Sequence, residues 1–387
     1  MSDTSKTQVR IYKESTWGET PSASNKMTNL NVTSENLSQQ TNTARSQNIN
    51  ATGNTQSINR VGIGAGGQIG VEMNFGSGLN YLLEGCMRST FGSDINISGT
   101  TFAAVASGNK FTDSGSGFVS AGVTAGQWIK VAGFTTPANN GFFRVLSVIA
   151  GEIAVEGATL SDESAGDAVT MKGALLKNGV TDQSFLVEVE RDDINVFKYF
   201  TGMRVGQNQF TFAPNSLVTG SFDMRGKQMA VATATQGDGS PNAAATTRSM
   251  NAVDNIQGVY RGSSLSTLDV TSFSFSISPA LRDKQAIGNL ANVGIGSGTQ
   301  VATINLEVYL EDNTLQTEYL NFTETSLALV IQDVAGNAYI FDFPTVVPTN
   351  SEDPTGGLDQ DVVQRLTYEA YLDTTLNGTI SITKIAA

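Results

Sequence analysis

The chain has 387 residues, which is long enough for more than one domain. It contains no histidine and a single cysteine, so it lacks the commonest general base, the commonest metal ligand and the means of forming an internal disulfide. Its formal net charge is -13, from 36 acidic and 23 basic residues, and an acidic surface repels the phosphate backbone of nucleic acids. Histidine-based catalysis is therefore excluded and specific DNA binding is disfavoured.

The N-terminal 60 residues are polar and rich in Ser, Thr, Asn and Gln, so this segment buries little surface by itself. We interpret residues 1–30 as an arm that packs on a neighbouring subunit, because Ile11, Tyr12 and Trp17 would be unfavourable in solvent. A disordered tail is the alternative. The segment has no apolar stretch typical of a secretion signal, and no apolar run in the chain approaches the roughly 18 residues of a membrane span.

Alternating strand patterns and two helix patterns follow along the chain. Every second residue of 69–75 is apolar, the period of a half-buried strand, and the same alternation recurs in 268–277 and 302–310. Leucines spaced by three and four residues predict a short helix over 78–88, and a second short helix is expected over 313–322. These patterns predict a mainly β fold, with one face of each sheet on the core and the other polar and exposed.

A shift in composition divides the chain into domains. Residues 96–173 are dense in Gly, Ala, Ser and Thr and contain short strands at close intervals, which is typical of a small all-β domain. We predict that this domain is inserted into a host domain made of residues 31–95 and 174–387. Trp128 in the insert is predicted to be a core residue, since it begins the apolar pattern Trp-Ile-Lys-Val; a sugar-stacking role is the alternative.

The sequence shows no motif typical of a catalytic, cofactor or metal site. The glycines of 62–67 precede a strand rather than a helix, so they do not form a dinucleotide loop. Cys86 is predicted to be a buried core thiol because no base is available to activate it. The carboxylates of 188–193 and 353–361, as well as Asp223 and Asp342, are interpreted as solvent-exposed. We therefore expect no enzymatic activity and no cofactor.

The N-terminal motif resembles a known family. Residues 13–18, Lys-Glu-Ser-Thr-Trp-Gly, with a proline shortly after, resemble the opening signature of phage tail tube proteins. The polar loop 43–60, the strand and helix of 70–85 and the run 361–370 are similar to later elements of that family. The resemblance implies contacts between subunits through six residues: Lys13, Glu14, Trp17, Gly18, Arg45 and Arg60.

The resemblance also implies a fold and a function. The fold would be a tail-tube β-sandwich or half-barrel whose copies form stacked hexameric rings in the tail of a siphophage-like virion, with the insert on the tube exterior. The genome would pass through the lumen without specific binding. The implied partners are further copies of the chain, the tape measure protein, the terminator and the baseplate or tip, after synthesis in the host cytoplasm.

Two other interpretations share these features. A tail terminator, a baseplate ring or a decoration protein would have the same strand content and could carry the same insert. A β-rich adhesin or glycan-binding module would use the insert, with Trp128 as the sugar-stacking residue.

Overall fold

The computed structural model describes residues 3–22, 24–262 and 264–387. The part before the insert begins with a short 3-10 turn at Thr4–Lys6 and contains five strands and one helix. They are β1 (Thr7–Lys13), β2 (Thr28–Leu30), β3 (Ser34–Glu35), β4 (Ser38–Arg45), β5 (Ile58–Glu72) and α1 (Ser77–Met87).

The inserted segment contributes seven further strands and a 3-10 turn at Pro137–Asn139. The strands are β6 (Ile95–Gly99), β7 (Phe102–Val105), β8 (Lys110–Asp113), β9 (Trp128–Ala132), β10 (Gly141–Ile149), β11 (Glu152–Glu156) and β12 (Val169–Lys177). The last of these continues beyond the insert into the host domain.

The second part of the host domain has a 3-10 turn at Asp192–Ile194, fourteen strands and one helix in the described residues. Its first half comprises β13 (Phe185–Arg191), β14 (Val196–Phe212), β15 (Thr219–Gly226), β16 (Gln228–Ala232), β17 (Ile256–Arg261), β18 (Ser264–Leu265), β19 (Val270–Ser278) and β20 (Arg282–Lys284). Its second half comprises β21 (Gly294–Gly296), β22 (Val301–Tyr309), α2 (Thr314–Asn321), β23 (Thr325–Gln332), β24 (Ala338–Glu352), β25 (Val363–Ala370) and β26 (Ser381–Ile385). The predictions of a mainly β fold and of two short helices are thus confirmed.

Two antiparallel sheets enclose the main hydrophobic core. The first has the order β5, β15, the second half of β14, β19, β22 and β25. The second has the order β17, β23, the first half of β24, β26 and the second half of β12. Phe275 of the first sheet lies 4.9 Å from Phe341 of the second, measured between ring centroids, and Phe210 lies 5.8 Å from the same ring. The host domain is therefore a sandwich held by aromatic packing between its sheets.

A third group of strands incorporates the N-terminus. β1 pairs with β13 along its whole length and also with β2, and β14 pairs with β13 and β16 on its two sides. Val9 and Ile11 are buried in the main core, because residues of β1 face it from within the sheet. Residues 7–13 of the predicted arm 1–30 thus form part of the subunit's own sheet. A contact between the remainder of the arm and a neighbour stays a prediction.

The inserted segment has its own hydrophobic cluster and also packs on the second host sheet. Phe111 packs against Phe134 and Phe143, with ring centroids 5.7 Å and 5.2 Å away, in a cluster formed by residues 95–171. Trp128 is only 1% exposed and is confirmed as a core residue, which removes its proposed sugar-stacking role. It lies in a separate cluster with residues of the second host sheet, namely Ala328, Val330, Ala338, Ile340 and Ile385.

Three carboxylates that were predicted to be exposed are buried instead: Glu188, Glu190 and Asp342. Glu188 is fully buried and accepts hydrogen bonds from Arg10, from the Thr235 hydroxyl and from the backbone N–H of Gln236. Asp342 is 1% exposed because β24 is covered on both faces, by the main core and by the insert. An alternating pattern indicates two different faces, but it does not reveal whether the polar face is covered by another part of the chain. Asp223 is exposed, as predicted.

Within the described ranges, no helix combines the length and the apolar character needed to cross a membrane.

Candidate assembly surfaces

Glu14 of the N-terminal motif binds backbone groups of its own subunit. Its Oε1 accepts a hydrogen bond from the N–H of Gly202 at 2.7 Å, and its Oε2 accepts one from the N–H of Gly18 at 2.9 Å. Burial raises the pKa of the Glu14 carboxyl, while these two backbone donors act in the opposite direction. The carboxylate therefore ties the chain that follows β1 to the middle of β14.

Trp17 binds the same residue of β14 as Glu14 does. Its indole Nε1 donates to the carbonyl of Gly202 at 3.0 Å, and the ammonium of Lys227 lies 5.5 Å from the ring centroid. Gly18 has a φ of 73°, and a Cβ added there would lie 2.6 Å from Lys227 Cδ. Glycine is thus required at position 18 both by the backbone conformation and by the close approach of the lysine.

Lys13 completes the motif with an ion pair to α1. Its Nζ lies 3.3 Å from Glu84 Oε2, and Glu84 Oε1 accepts the backbone N–H of Phe91 at 3.0 Å. Together with Glu14, Trp17 and Gly18, this residue forms an N-terminal clamp, whose hydrogen bonds and ion pair are all made within one subunit. The role of these four residues in contacts between subunits stays a prediction.

The clamp partners, one on β14 and one between β15 and β16, were not predicted from the sequence. Gly202 and Lys227 follow the motif by almost 190 residues or more, and their neighbours carry no pattern that points to it. The strand pairing of β14 with β16, in which Thr201 is opposite Gln228, brings them together. In the structure Gly202 has a left-handed φ of 66°, a conformation that favours glycine, but a single glycine in a strand does not point to this contact in the sequence.

Arg45 and Arg60 lie far from the clamp, on the hairpin formed by β4 and β5. Thr43 is opposite Arg60 and Arg45 is opposite Ile58, so both arginines are close to the tip. Residues 40–45 and 51–61 are all exposed, and the side chain of Ile49 at the tip is fully exposed. This hairpin consequently extends beyond the body of the subunit and contributes no residue of its outer part to the core.

The outer face of the first sheet is almost entirely polar. Its residues are in register across six strands, because side chains of a strand alternate between two faces. One row is Gly70, Ser221, Gln209, Ser276, Thr303 and Glu369, and the next is Glu72, Thr219, Thr211, Ser274, Asn305 and Thr367. The row between them, which includes Phe210, Phe275, Ile304 and Tyr368, faces the core.

This polar face contains few charged residues, and they are of both signs. Asp223 accepts a hydrogen bond from the Gln68 side chain at 3.1 Å, and Glu307 forms an ion pair with Arg365 at 3.0 Å. Thr367 donates to Asn305 at 3.0 Å. Such a surface presents short hydroxyl and amide groups without a cluster of cations that would hold phosphates.

A buried ionic group joins the insert to the host. Arg144 of β10 lies 3.3 Å from Asp342 and 2.8 Å from Glu156, and its third neighbour, Asp373, is 3.9 Å away. The hydroxyl of Ser381 lies 3.4 Å from the Asp342 carboxylate. Burial raises the pKa of Asp342 to about 6, although Arg144 opposes this shift.

Comparison with known proteins supports the resemblance of the N-terminal motif. The family model described as phage tail tube protein matches residues 4–370. The chain belongs to the phage tail tube protein family. A comparison with curated proteins finds no match.

Membership of this family defines the general role of the chain. It is a structural protein of the phage tail and therefore a component of the virion that assembles with itself and with other tail proteins. The match also begins before the N-terminal clamp and ends at the last residue of β25, so it spans the insert and both parts of the host domain.

Proposed function

We propose that this chain is the major tail tube subunit of a siphophage-like virion, in which copies form stacked hexameric rings around a channel for the genome. The observation that supports this most is the polar face of the six-stranded sheet, which lies opposite an aromatic core. We assign this face to the channel wall. DNA would slide along it because hydroxyl and amide groups predominate there, and no row of cations captures the phosphates.

The position of the insert is consistent with this orientation. The polar face, the first sheet, the aromatic core and the second sheet follow one another as layers, and the insert packs on the far side of the second sheet. If the polar face lines the channel, the insert lies on the tube exterior. A domain there does not obstruct passage of the genome.

Ring closure would use the two edges of the first sheet. In the described residues β4 pairs only with β5, and residues 347–352 of β24 pair only with β25. An edge strand has unpaired backbone N–H and C=O groups that can pair with another chain, and a closed ring removes such edges. Pro348 removes one donor from the β24 edge, so pairing there would begin beyond it, at residues 349–352.

The remaining features of the proposed function concern partners. The tube subunit would contact the tape measure protein, the terminator and the baseplate or tip at the tube ends, and DNA only in passing. We propose no enzymatic activity and no cofactor. Synthesis in the host cytoplasm precedes assembly into the virion.

Electron microscopy of the purified protein tests the proposal. We expect hollow tubes made of rings with six subunits, and single rings as intermediates. A terminator or baseplate ring would stop at single rings. Protein that stays monomeric at high concentration would contradict the proposal.

A further inference from the structure

We propose that the junction between insert and host is a proton-binding site, in which the buried Asp342 carboxyl takes up one proton and thereby holds the insert more firmly on the host. The junction is the surface of the second sheet that Trp128 and Arg144 of the insert cover. It is built within one subunit, so the site needs no neighbouring copy and does not depend on the proposed tube.

The junction is small compared with the main core of the host. Its apolar cluster consists of Trp128 and five buried residues of the host, whereas the main core unites residues of both sheets and of α1. The insert also keeps a hydrophobic cluster of its own, which lies within residues 95–171. A contact of this size between two separately packed parts can open while both parts stay folded.

Carboxylates outnumber the guanidinium around which they gather at the junction. The nearest atoms of Glu156, Asp342 and Asp373 lie 2.8, 3.3 and 3.9 Å from the Arg144 guanidinium. One bound proton would reduce this excess of negative charge. The Asp342 side chain is 1% exposed, against 23% for Glu156 and 17% for Asp373, so its ionised form is the one least stabilised by water. The proton is therefore assigned to Asp342.

The surroundings of the Asp342 carboxyl favour its neutral form. The groups that face it are the Arg144 guanidinium, the Glu156 carboxyl, the Trp128 indole and the Ser381 hydroxyl. From β23 the residue opposite is Ala328, which adds no charge. The contacts with Arg144 Nε and Ser381 Oγ, at 3.3 and 3.4 Å, are long for hydrogen bonds to a carboxylate. The Oδ1 atom accepts no hydrogen bond of ordinary geometry from a described residue.

Proton binding and closure of the junction are linked. Burial raises the pKa of Asp342 to about 6 in the closed junction, whereas opening would return the carboxyl to water and to its ordinary value of 3.8. The closed junction therefore binds the proton more tightly than the open one. The resulting stabilisation is complete below the lower value and is lost as the pH rises through the higher one. The open fraction should thus increase about tenfold between pH 5 and pH 7.

Thiol labelling tests this site in the full chain. Ala338 is fully buried in the apolar cluster of the junction, so a thiol introduced by Ala338→Cys reacts with a pyridyl disulfide only while the junction is open. The natural thiol of Cys86 lies in the main core and reports unfolding of the host instead. We would measure the labelling rate in this background with Asp342 and with Asp342→Asn. The ratio of the two rates cancels the pH dependence of the thiol itself.

The expected result is a change in this ratio with pH. The rate with Asp342, divided by the rate with Asp342→Asn, should increase about tenfold between pH 5 and pH 7 because the amide does not titrate. Glu156→Gln removes a neighbouring negative charge that favours the bound proton, so the midpoint of this increase should move to lower pH. The matched control is Asp223→Asn, which removes an exposed carboxylate far from the junction and should leave the midpoint unchanged.

Two outcomes would overturn the proposal. One is a ratio that stays constant between pH 5 and pH 7, since the junction would then bind no proton as it closes. The other is labelling at position 338 that is no faster than labelling of Cys86, because the junction would then open only when the host unfolds. An increase whose midpoint moves with Glu156→Gln but not with Asp223→Asn is the result that the site predicts.

Discussion

Two segments extend from the sandwich of this subunit, the insert and the β4–β5 hairpin. They differ in how many of their apolar and charged side chains are buried or paired within the subunit. The insert contributes Trp128 and Arg144 to a buried junction, where apolar side chains and three carboxylates of the same chain surround them. The β4–β5 hairpin contributes nothing of its outer part to the core and exposes Ile49 and two arginines that lack ion-pair partners among the described residues. A segment whose apolar and charged side chains are buried or paired within its own chain offers few groups to a neighbour. A segment that exposes such side chains is better suited to contact a partner.

Shortening the hairpin should give the largest effect. Residues 44–59 would be replaced by Asn-Gly, which joins the opposed residues Thr43 and Arg60 by a two-residue turn. Because the removed residues are exposed, the free energy of unfolding should change by less than about 0.5 kcal/mol. Tubes, observed by electron microscopy, should be lost. Normal tubes from this variant would show that the hairpin is dispensable and that the contrast with the insert is mistaken.

Breaking the junction should give the opposite result, a loss of stability. Arg144→Met leaves Asp342 buried without its cation, which costs about 3–5 kcal/mol for a buried ion pair. Chemical denaturation measures this loss. The control is Lys384→Met, since its partner Asp94 is 70% exposed and such a pair contributes about 0–1 kcal/mol. Equal effects of the two substitutions would mean that the junction is not a stabilising contact.

The junction should also make stability depend on pH. The folded-state pKa of Asp342, about 6, is above its ordinary value of 3.8, so the folded protein holds this proton more tightly than the unfolded chain. Stability from this group is therefore greatest below about pH 4 and falls as the pH rises through 6, by about 2–3 kcal/mol at 1.36 kcal/mol per pKa unit. The groups that face the carboxyl are Arg144, Trp128, Glu156 and Ser381.

The substitution Asp342→Asn tests this pH dependence, because an amide does not titrate. The free energy of unfolding of the variant, taken relative to that of the wild type, should be higher at pH 7 than at pH 4. A difference that is constant between these two values would contradict the raised pKa.

The N-terminal clamp should behave like the junction, with a smaller effect. Glu14→Ala removes a carboxylate that accepts two backbone hydrogen bonds, and we expect a loss of about 2 kcal/mol in the free energy of unfolding. Glu19→Ala, an exposed neighbour in the same segment, is the control and should be neutral. A folded Glu14→Ala subunit of normal stability that fails only in assembly would instead support the predicted role of the motif between subunits.

Deletion of residues 1–28 is a poor test of the predicted arm. It would remove β1, which places Val9 and Ile11 in the core, and the subunit would lose stability for that reason alone. Deletion of the insert has a similar drawback, because it would expose the apolar residues of β23 and β24 that pack on Trp128. Point substitutions at the clamp, the junction and the hairpin avoid both problems.

The sequence predicted the parts of the fold that depend on local periodicity. Alternation of apolar residues located β19, β22 and the last four residues of β5, and leucine spacing located α1, because strand and helix periods are properties of neighbouring residues. The predicted strand 69–75 was thus placed too far along the chain, since β5 is Ile58–Glu72. The motif at 13–18 led to the family, which the family match confirms. The predicted exposure of Glu188, Glu190 and Asp342 was wrong, because the segments that cover them are distant in the sequence and leave no local pattern.

The candidate surfaces were predicted less well for the same reason. The polar face appears only when six strands are in register, because its residues come from segments that are far apart in the sequence. Arg45 and Arg60 were predicted as contacts between subunits, and this stays a prediction. No pattern in the sequence pointed to Gly202 and Lys227 of the clamp, and the left-handed conformation of Gly202 is visible only in the structure.

High-resolution electron microscopy of assembled protein tests the central claim most directly. The account predicts a hollow tube in which the rows containing Ser276 and Thr303 line the channel, the insert lies outside, and the β4–β5 hairpin contacts a neighbouring subunit. A tube with the polar face on its outer surface, or protein that remains monomeric at high concentration, would contradict it.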